Sequence, residues 1–245
     1  MTDSSAQPKI ALITGANKGI GLEIARQLGA QGIVVLIGAR DQERGMQAAR
    51  QLCSQNIDAR AVILDITNPS SIASVAAEIE ATFGHLDILV NNAAIALDRV
   101  APSQLDLGTL RETFETNVFG MFSVTTAMLP LLRKSPAGRI VNMSSGLGSL
   151  TQTSDLNWDF RRVNLLAYNA SKTAVNALTV QFANELHDTP IKVNSADPGY
   201  VATDLNAHRG PRTVEQGATA PVRLATLGPE GPTGSFFNED GVVPW

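Results

Sequence analysis

At 245 residues, 44% hydrophobic and 17% charged, the chain can bury a substantial core and suits one large α/β domain. A net charge of −4 offers no basic field for nucleic acid or anionic lipid. The single cysteine, Cys53, excludes an intrachain disulfide and a cysteine-built metal cluster, no apolar run approaches the roughly 18 residues of a membrane span, and the polar residues 1–7 lack the apolar core of a secretory signal. The expectation is a cytoplasmic protein without a metal, with a short flexible tail at residues 1–8 and one domain over 9–245.

Ile10-Ala11-Leu12-Ile13 reads as a strand buried on both faces. Thr14-Gly15-Ala16-Asn17-Lys18-Gly19-Ile20-Gly21 follows, then an amphipathic stretch with Ile20, Ile24, Ala25 and Leu28 on one face. Strand, glycine turn and helix start together form a seat for a dinucleotide pyrophosphate, because free N–H groups and the positive helix end face it. Glycines let the backbone come close without Cβ clashes. The spacing is T-G-x-x-x-G-x-G, which differs from G-x-G-x-x-G. Residues 33–37 form a second strand ending Gly38-Ala39-Arg40. An acid at this strand end binds the ribose 2′-OH of NAD, whereas an arginine accommodates the 2′-phosphate of NADP. Arg40, with Lys18 as a second cation, points to NADP(H); the alternative is two ordinary solvated charges. Asp41 comes one residue too late to serve as that acid.

Residues 41–58 read as a helix with Ala48, Ala49 and Leu52 inward, and residues 61–64 as a third strand followed by Asp65-Ile66. Asn68 ahead of Pro69 opens another helix. The fourth strand, residues 86–90, ends in Asn91-Asn92-Ala93-Ala94, small and carboxamide residues against which a flat ring could lie. Residues 109–132 have helical periodicity, with Asn117 on the inward stripe. A buried asparagine needs partners, so Asn117 is either a structural bracket or part of a site. The fifth strand, residues 139–143, leads into Ser144-Ser145-Gly146 and a polar, glycine-rich stretch to residue 164. A helix to about residue 186 follows, with Val175, Leu178, Phe182 and Leu186 as its apolar face.

That helix carries Tyr168 and Lys172, four apart and so on one face. A free phenol titrates near 10 and an ammonium near 10.4. A fixed ammonium beside a phenol favours phenolate, which predicts a lowered pKa for Tyr168 and a role in proton transfer. The sixth strand, residues 191–196, precedes Asp197-Pro198-Gly199-Tyr200-Val201-Ala202-Thr203. Thr213-Val214-Glu215-Gln216 resembles a capping box opening a helix to about residue 227, residues 235–237 read as a closing strand, and Val243-Pro244-Trp245 as a packed or interface-seeking tail. The alternation predicts an α/β fold: a single-domain, Rossmann-like, doubly wound parallel sheet of about seven strands with helices on both faces. Ligands in such sheets sit at the strand C-terminal ends.

Seven motifs, Thr14-Gly15-x-x-x-Gly19-x-Gly21, Asp65, Asn91-Asn92-Ala93, Asn117, Ser144-Ser145, Tyr168-x-x-x-Lys172 and Pro198-Gly199-x-x-x-Thr203, occur in order across residues 9–203. Together they resemble the short-chain dehydrogenase/reductase family. The resemblance implies Tyr168 as general acid or base and Ser145, with Ser144 as the other candidate, on the substrate oxygen. Lys172 would bind the nicotinamide ribose and lower the tyrosine pKa, and Asn117 would hold a relay water. It also implies a cofactor site of Gly15, Asn17, Lys18, Gly19, Ile20, Gly21, Arg40, Asp65, Ile66, Asn91, Ala93, Tyr168, Lys172, Pro198, Gly199, Val201 and Thr203.

Three features depart from the common pattern. Ala94 replaces the usual glycine, the stretch between Ser145 and Tyr168 is longer than usual, and the ending from Gly231 to Trp245 looks like that of carbonyl reductases of the family. The expected activity is NADPH-dependent reduction of an apolar ketone or aldehyde. The alternatives are an NAD-dependent alcohol or steroid dehydrogenase and an NADP-sensing regulator without turnover. Leu156, Trp158, Phe160 and Leu165 would rim the substrate mouth, although Trp158 and Phe160 could instead only fasten the extra segment to the body. Residues 204–212 read as a mobile lid. Family members often associate through the helices near Leu110 and Tyr168, so a dimer or tetramer is expected.

Overall fold

The computed structural model describes residues 8–245, so nearly all of the expected tail lies outside the described residues. Its strands are β1 (Ile10–Thr14), β2 (Val34–Ala39), β3 (Ala59–Ile63), β4 (Ile88–Asn91), β5 (Arg139–Met143), β6 (Lys192–Ala196) and β7 (Phe236–Phe237). They form one parallel sheet in the order β3-β2-β1-β4-β5-β6-β7. The chain reverses its direction of travel across the sheet between β1 and β4, which opens a crevice at their C-terminal ends.

The helices are α1 (Gly19–Gly29), α2 (Gln42–Cys53), α3 (Pro69–Phe83), α4 (Leu107–Phe114), α5 (Met121–Leu132), α6 (Leu150–Ser154), α7 (Leu166–Glu185) and α8 (Val214–Ala225). Strand side chains alternate between two cores. Ala11, Ile13, Val35 and Ile37 face α1, α2 and α8, through Ile24, Leu28, Leu52 and Leu224. Ile10, Leu12, Val34 and Leu36 face α3, α5 and α7, through Ile79, Val124, Met128 and Phe182.

Local chemistry explains the boundaries. Asp41 caps α2, Asn68 caps α3 ahead of Pro69, and Thr213 exchanges hydrogen bonds with Gln216 to open α8. The second helix ends at Cys53, short of residue 58, because the chain turns through Asn56 in the left-handed region (φ 63°). The third strand starts two residues earlier than the periodicity indicates; as an edge strand it leaves Arg60 exposed. The helix expected over 109–132 is split by a π turn, Glu115–Gly120, between α4 and α5. On α7, Thr179 and not Leu178 is the fully inward residue, bonded by its hydroxyl to Val175 O at 2.9 Å. The carboxy-terminal tail is packed: Trp245 stacks on Phe236 with ring centroids 5.6 Å apart.

Arg139 is 2% exposed and fastens α8 to the sheet. Its guanidinium donates to Leu227 O at 2.7 Å, Gly228 O at 3.1 Å and Pro190 O at 3.0 Å. Replacing it with methionine orphans the Leu227 and Gly228 carbonyls just past α8 and the Pro190 carbonyl ahead of β6. Arg139→Met is expected to lower stability by roughly 3 kcal/mol, read from the urea midpoint. A loss below about 1 kcal/mol would show that the carbonyls find other partners.

Candidate active site

The strand C-terminal ends enclose an open cavity of about 1820 Å³ running from the glycine turn to Tyr168 and the mouth at Tyr200. Its first part is shaped by the turn after β1. Gly15 (φ 63°) and Gly19 (φ 58°) occupy the left-handed region. A Cβ on Gly21 would lie 2.4 Å from Asn92 Nδ2 and 2.8 Å from Gly15 O, so that position admits no side chain. α1 begins here with no side-chain cap and no acidic residue in its first turn. An uncapped helix start against a glycine cradle suits an anionic pyrophosphate. Asn17, Lys18, Gly19, Ile20 and Gly21 line the cavity, as do Gly15, Arg40, Asp65, Ile66 and Ala93.

Arg40 is exposed at the end of β2 and makes no ion pair among the described residues. Asp41 is committed to the α2 cap, accepting from Arg44 N at 2.9 Å, and so offers no acid to a ribose. Lys18 is paired with Asp204 at 2.5 Å. Asp65 binds Thr67 N at 2.9 Å and Thr67 Oγ1 at 2.8 Å through one oxygen.

The expectation for Asn91 is corrected. Asn91 is still in the sheet, in register with Asn142, and its amide donates to Thr125 Oγ1 at 2.9 Å and Asn142 Oδ1 at 2.8 Å. It is 6% exposed and does not line the cavity. Asn92, one residue later, turns upward and donates to Thr14 O at 2.9 Å and Gly15 O at 3.2 Å, bracing the glycine turn. Thr14 Oγ1 in turn accepts from Asn92 N at 2.9 Å and Ala93 N at 3.0 Å. Ala94 also lines the cavity, without a left-handed backbone.

At the other end α7 presents Tyr168 and Lys172. The first turn of α7 has no cap of its own; buried Asp98 supplies one from the loop after β4, accepting from Ala167 N at 2.8 Å. Gly148 lets the helix come close, since a Cβ there would lie 2.8 Å from the Lys172 backbone. Lys172 is 3% exposed; its ammonium donates to Met143 O at 2.8 Å and lies 5.5 Å from the Tyr168 ring centroid. Ser145 lines the cavity beside Tyr168, near enough to oppose the rise of the phenol's pKa, and its hydroxyl accepts from Leu147 N at 3.2 Å. Ser144 is buried, its hydroxyl 3.4 Å from Lys172 O. Both serines line the cavity, and Ser145, half-buried, is the more open to it.

The pKa expectation for Tyr168 is also corrected. Burial, with the Asp197 charge adding to it and only Ser145 opposing, pushes the phenol up to about 12. Burial also draws the Lys172 ammonium down, to about 8. The free chain thus holds Tyr168 as a neutral acid.

Asn117, in the π turn, proves to be a bracket: its amide donates to Ile95 O at 2.8 Å and Ser171 Oγ at 3.0 Å and accepts from Ile95 N at 2.8 Å. Its side chain lies behind the cavity wall, next to the residue before Lys172. Pro198, Gly199, Val201 and Thr203 line the cavity after β6. Trp158, Phe160 and Leu165 line the mouth, whereas Leu156 is 73% exposed and points away. Residues 204–212 are tied down by the Lys18–Asp204 pair, by Arg99 donating to Leu205 O at 3.1 Å, and by a bridge between Val201 and Arg212. Asp197, Gln152 and Asn92 are cavity residues that motif matching assigned no role; the mark in the sequence for Asp197 and Asn92 is their place just past a strand end.

A parallel seven-stranded sheet with a glycine cradle at its switch point and a Ser-Tyr-Lys set beside it defines a nucleotide-dependent oxidoreductase. The short chain dehydrogenase family model matches residues 9–213, and the chain belongs to that family as a carbonyl reductase-like member. It is 37% identical to carbonyl reductase [NADPH] 3 of Rattus norvegicus, over 98% of this chain and 100% of that protein. It is 35% identical to short-chain dehydrogenase/reductase 1 of Saponaria officinalis, over 98% and 97% of the two chains. The NADPH-bound carbonyl reductase from chicken fatty liver superposes with a TM-score of 0.85 at 28% identity, covering 98% of this chain and 100% of that one.

Proposed function

We propose that this chain reduces ketones and aldehydes to alcohols with NADPH in the cytoplasm. The observation that carries the reading is one continuous cavity joining an anion-receptive glycine cradle to Ser145, Tyr168 and Lys172. The residues present fit a dinucleotide: Gly21 leaves no room for a side chain, the α1 start is uncapped, and Arg40 is an open cation. Gly15, Asn17, Gly19, Ile20 and Gly21 would hold the pyrophosphate, Arg40 and Lys18 the 2′-phosphate, Asp65 and Ile66 the adenine, and Ala93, Pro198, Gly199, Val201 and Thr203 the nicotinamide half. When bound, the reduced nicotinamide supplies a hydride.

The chain supplies the rest. Ser145 and Tyr168 fix the carbonyl oxygen by two hydrogen bonds and polarise it. Tyr168, protonated at neutral pH because its pKa lies near 12, gives its proton to the forming alkoxide. Lys172 lies over the same ring and stabilises the phenolate left behind. Asn117 would hold a relay water through its backbone, since both of its amide hydrogens are committed. The aromatic mouth favours apolar substrates.

Cofactor choice is tested by dissociation constants. Arg40→Ala is expected to weaken NADPH binding by about tenfold or more and to leave NADH nearly unchanged. Tighter binding of NADH by the unaltered protein would overturn the assignment. Phe119 (54% exposed) and Phe122 (46% exposed, beside Phe182 of α7) support association of copies through this helical face, read as mass in solution.

A further inference from the structure

Three side chains from three elements converge on one point above Gly146, the residue after Ser145. A methyl group on Gly146 would lie 3.0 Å from Gln152 Oε1, 3.3 Å from Asp197 Oδ2 and 3.5 Å from Trp158 Cζ2. Gln152 comes from α6, Trp158 from the segment before α7, and Asp197 from the end of β6. All three line the cavity that holds Ser145 and Tyr168. The Trp158 ring meets Phe160 edge-on with centroids 5.6 Å apart, and Phe160 meets Tyr200 in the same way at 6.1 Å. A carboxylate thus stands at the inner end of a row of three aromatic rings.

The charge there is not cancelled. Asp197 Oδ1 accepts from Gly199 N at 2.9 Å. The cation acting on it, Arg212, gives both terminal nitrogens to Glu239, one of them at 2.7 Å, and has Asp240 near it as a further acid. Asp197, Arg212 and Glu239 therefore sum to one negative charge. Lys172, the cation on the catalytic side, is held on Met143 O. Burial pushes the Asp197 carboxyl up, while the Gly199 and Gly146 amides and the Arg212 charge favour its carboxylate.

We propose that this point is a specificity site: Asp197, with the Trp158, Phe160 and Tyr200 rings, selects carbonyl substrates that carry a protonated amine and rejects those that carry a carboxylate. The inference rests on the reductase reading and names its substrate class. An ammonium gains a charge-assisted hydrogen bond from Asp197 and the negative faces of the rings. A substrate carboxylate meets a like charge in a partly desolvated place. Gln152 can turn either end of its carboxamide to the ligand, so Asp197 sets the sign.

The test uses three aryl ketones of one frame, bearing a tertiary amine, its uncharged carbon isostere, or a carboxylate. With NADPH at neutral pH, kcat/KM is expected to fall in that order, by about tenfold between amine and isostere. Asp197→Asn keeps the shape and an acceptor for Gly199, and the amine-to-isostere ratio should fall to near one; Trp158→Leu should lower it in part. Equal kcat/KM for amine and isostere in the unaltered protein overturns the inference, whether or not the variants fold. So does an unchanged ratio in folded Asp197→Asn. If none of the ketones is reduced, the reductase reading fails by itself. The three dissociation constants with NADPH-loaded protein then decide the inference, and they are expected to rise from amine to isostere to carboxylate.

Discussion

Tyr168→Phe is expected to lower kcat for ketone reduction by about 10²–10⁴, with the NADPH dissociation constant changed less than about threefold. The ring stays, so the packing of α7 against the loop at Gly148 is kept, and a residue that is only 9% exposed loses a single oxygen. What disappears is the proton. A phenol held near 12 is protonated over its anion by roughly five orders of magnitude at neutral pH, which makes it a ready donor and a reluctant base. A neutral phenol at this pH supports the proposed reduction. Stopped-flow measurement of NADPH consumption in a single turnover separates the two effects. A Tyr168→Phe protein that reduces ketones within about tenfold of normal would show that another group gives the proton.

Lys172→Met is expected to cut kcat/KM by about 10²–10³ while leaving the fold no less stable at neutral pH. The two halves have one cause. Burial draws the folded lysine pKa from 10.5 to about 8, so the native state opposes the charge that catalysis uses. Stability from this group is fully present above its unfolded pKa near 10.5 and is lost as pH falls through about 8. Below that, the buried ammonium costs on the order of 3 kcal/mol, partly offset by its bond to Met143 O. Methionine removes the cost and the function together. The pH profile gives a second readout: reduction by the unaltered protein should decline as pH rises through about 8, and the residual rate of the variant should not. A lower urea midpoint for the variant at neutral pH would show that the ammonium stabilises the fold.

How much of this was legible in the sequence depended on the physical signal. The sheet was legible because apolar runs such as Ile10–Thr14 are buried on both faces and end in turn residues. The glycine cradle was legible because only glycine fits at Gly21. Other features turn on a single residue of register. Asn91 and Asn92 are chemically identical, and only the ladder bond to Asn142 shows that β4 still contains the first of them. The π turn at Glu115–Gly120 leaves the apolar period nearly intact, so the break in the helix was not visible, although a bracket was one of the two roles open to a buried Asn117. The sign of the Tyr168 shift could not be read from a four-residue spacing. Spacing gives the neighbour, whereas burial, which dominates here, is set by the whole fold. Leu156 and Phe160 look alike in composition, yet one faces solvent and the other the mouth.

The most direct measurement is the fate of the label when NADPH carrying two deuterium atoms at nicotinamide C4 is mixed with the protein and an aryl ketone in ordinary water. Mass and NMR analysis of the alcohol is expected to show one deuterium on the carbinol carbon and a solvent-exchangeable hydrogen on oxygen, formed far more slowly by Tyr168→Phe. An alcohol without deuterium on carbon, or no alcohol at all from protein shown to bind NADPH, would contradict the account.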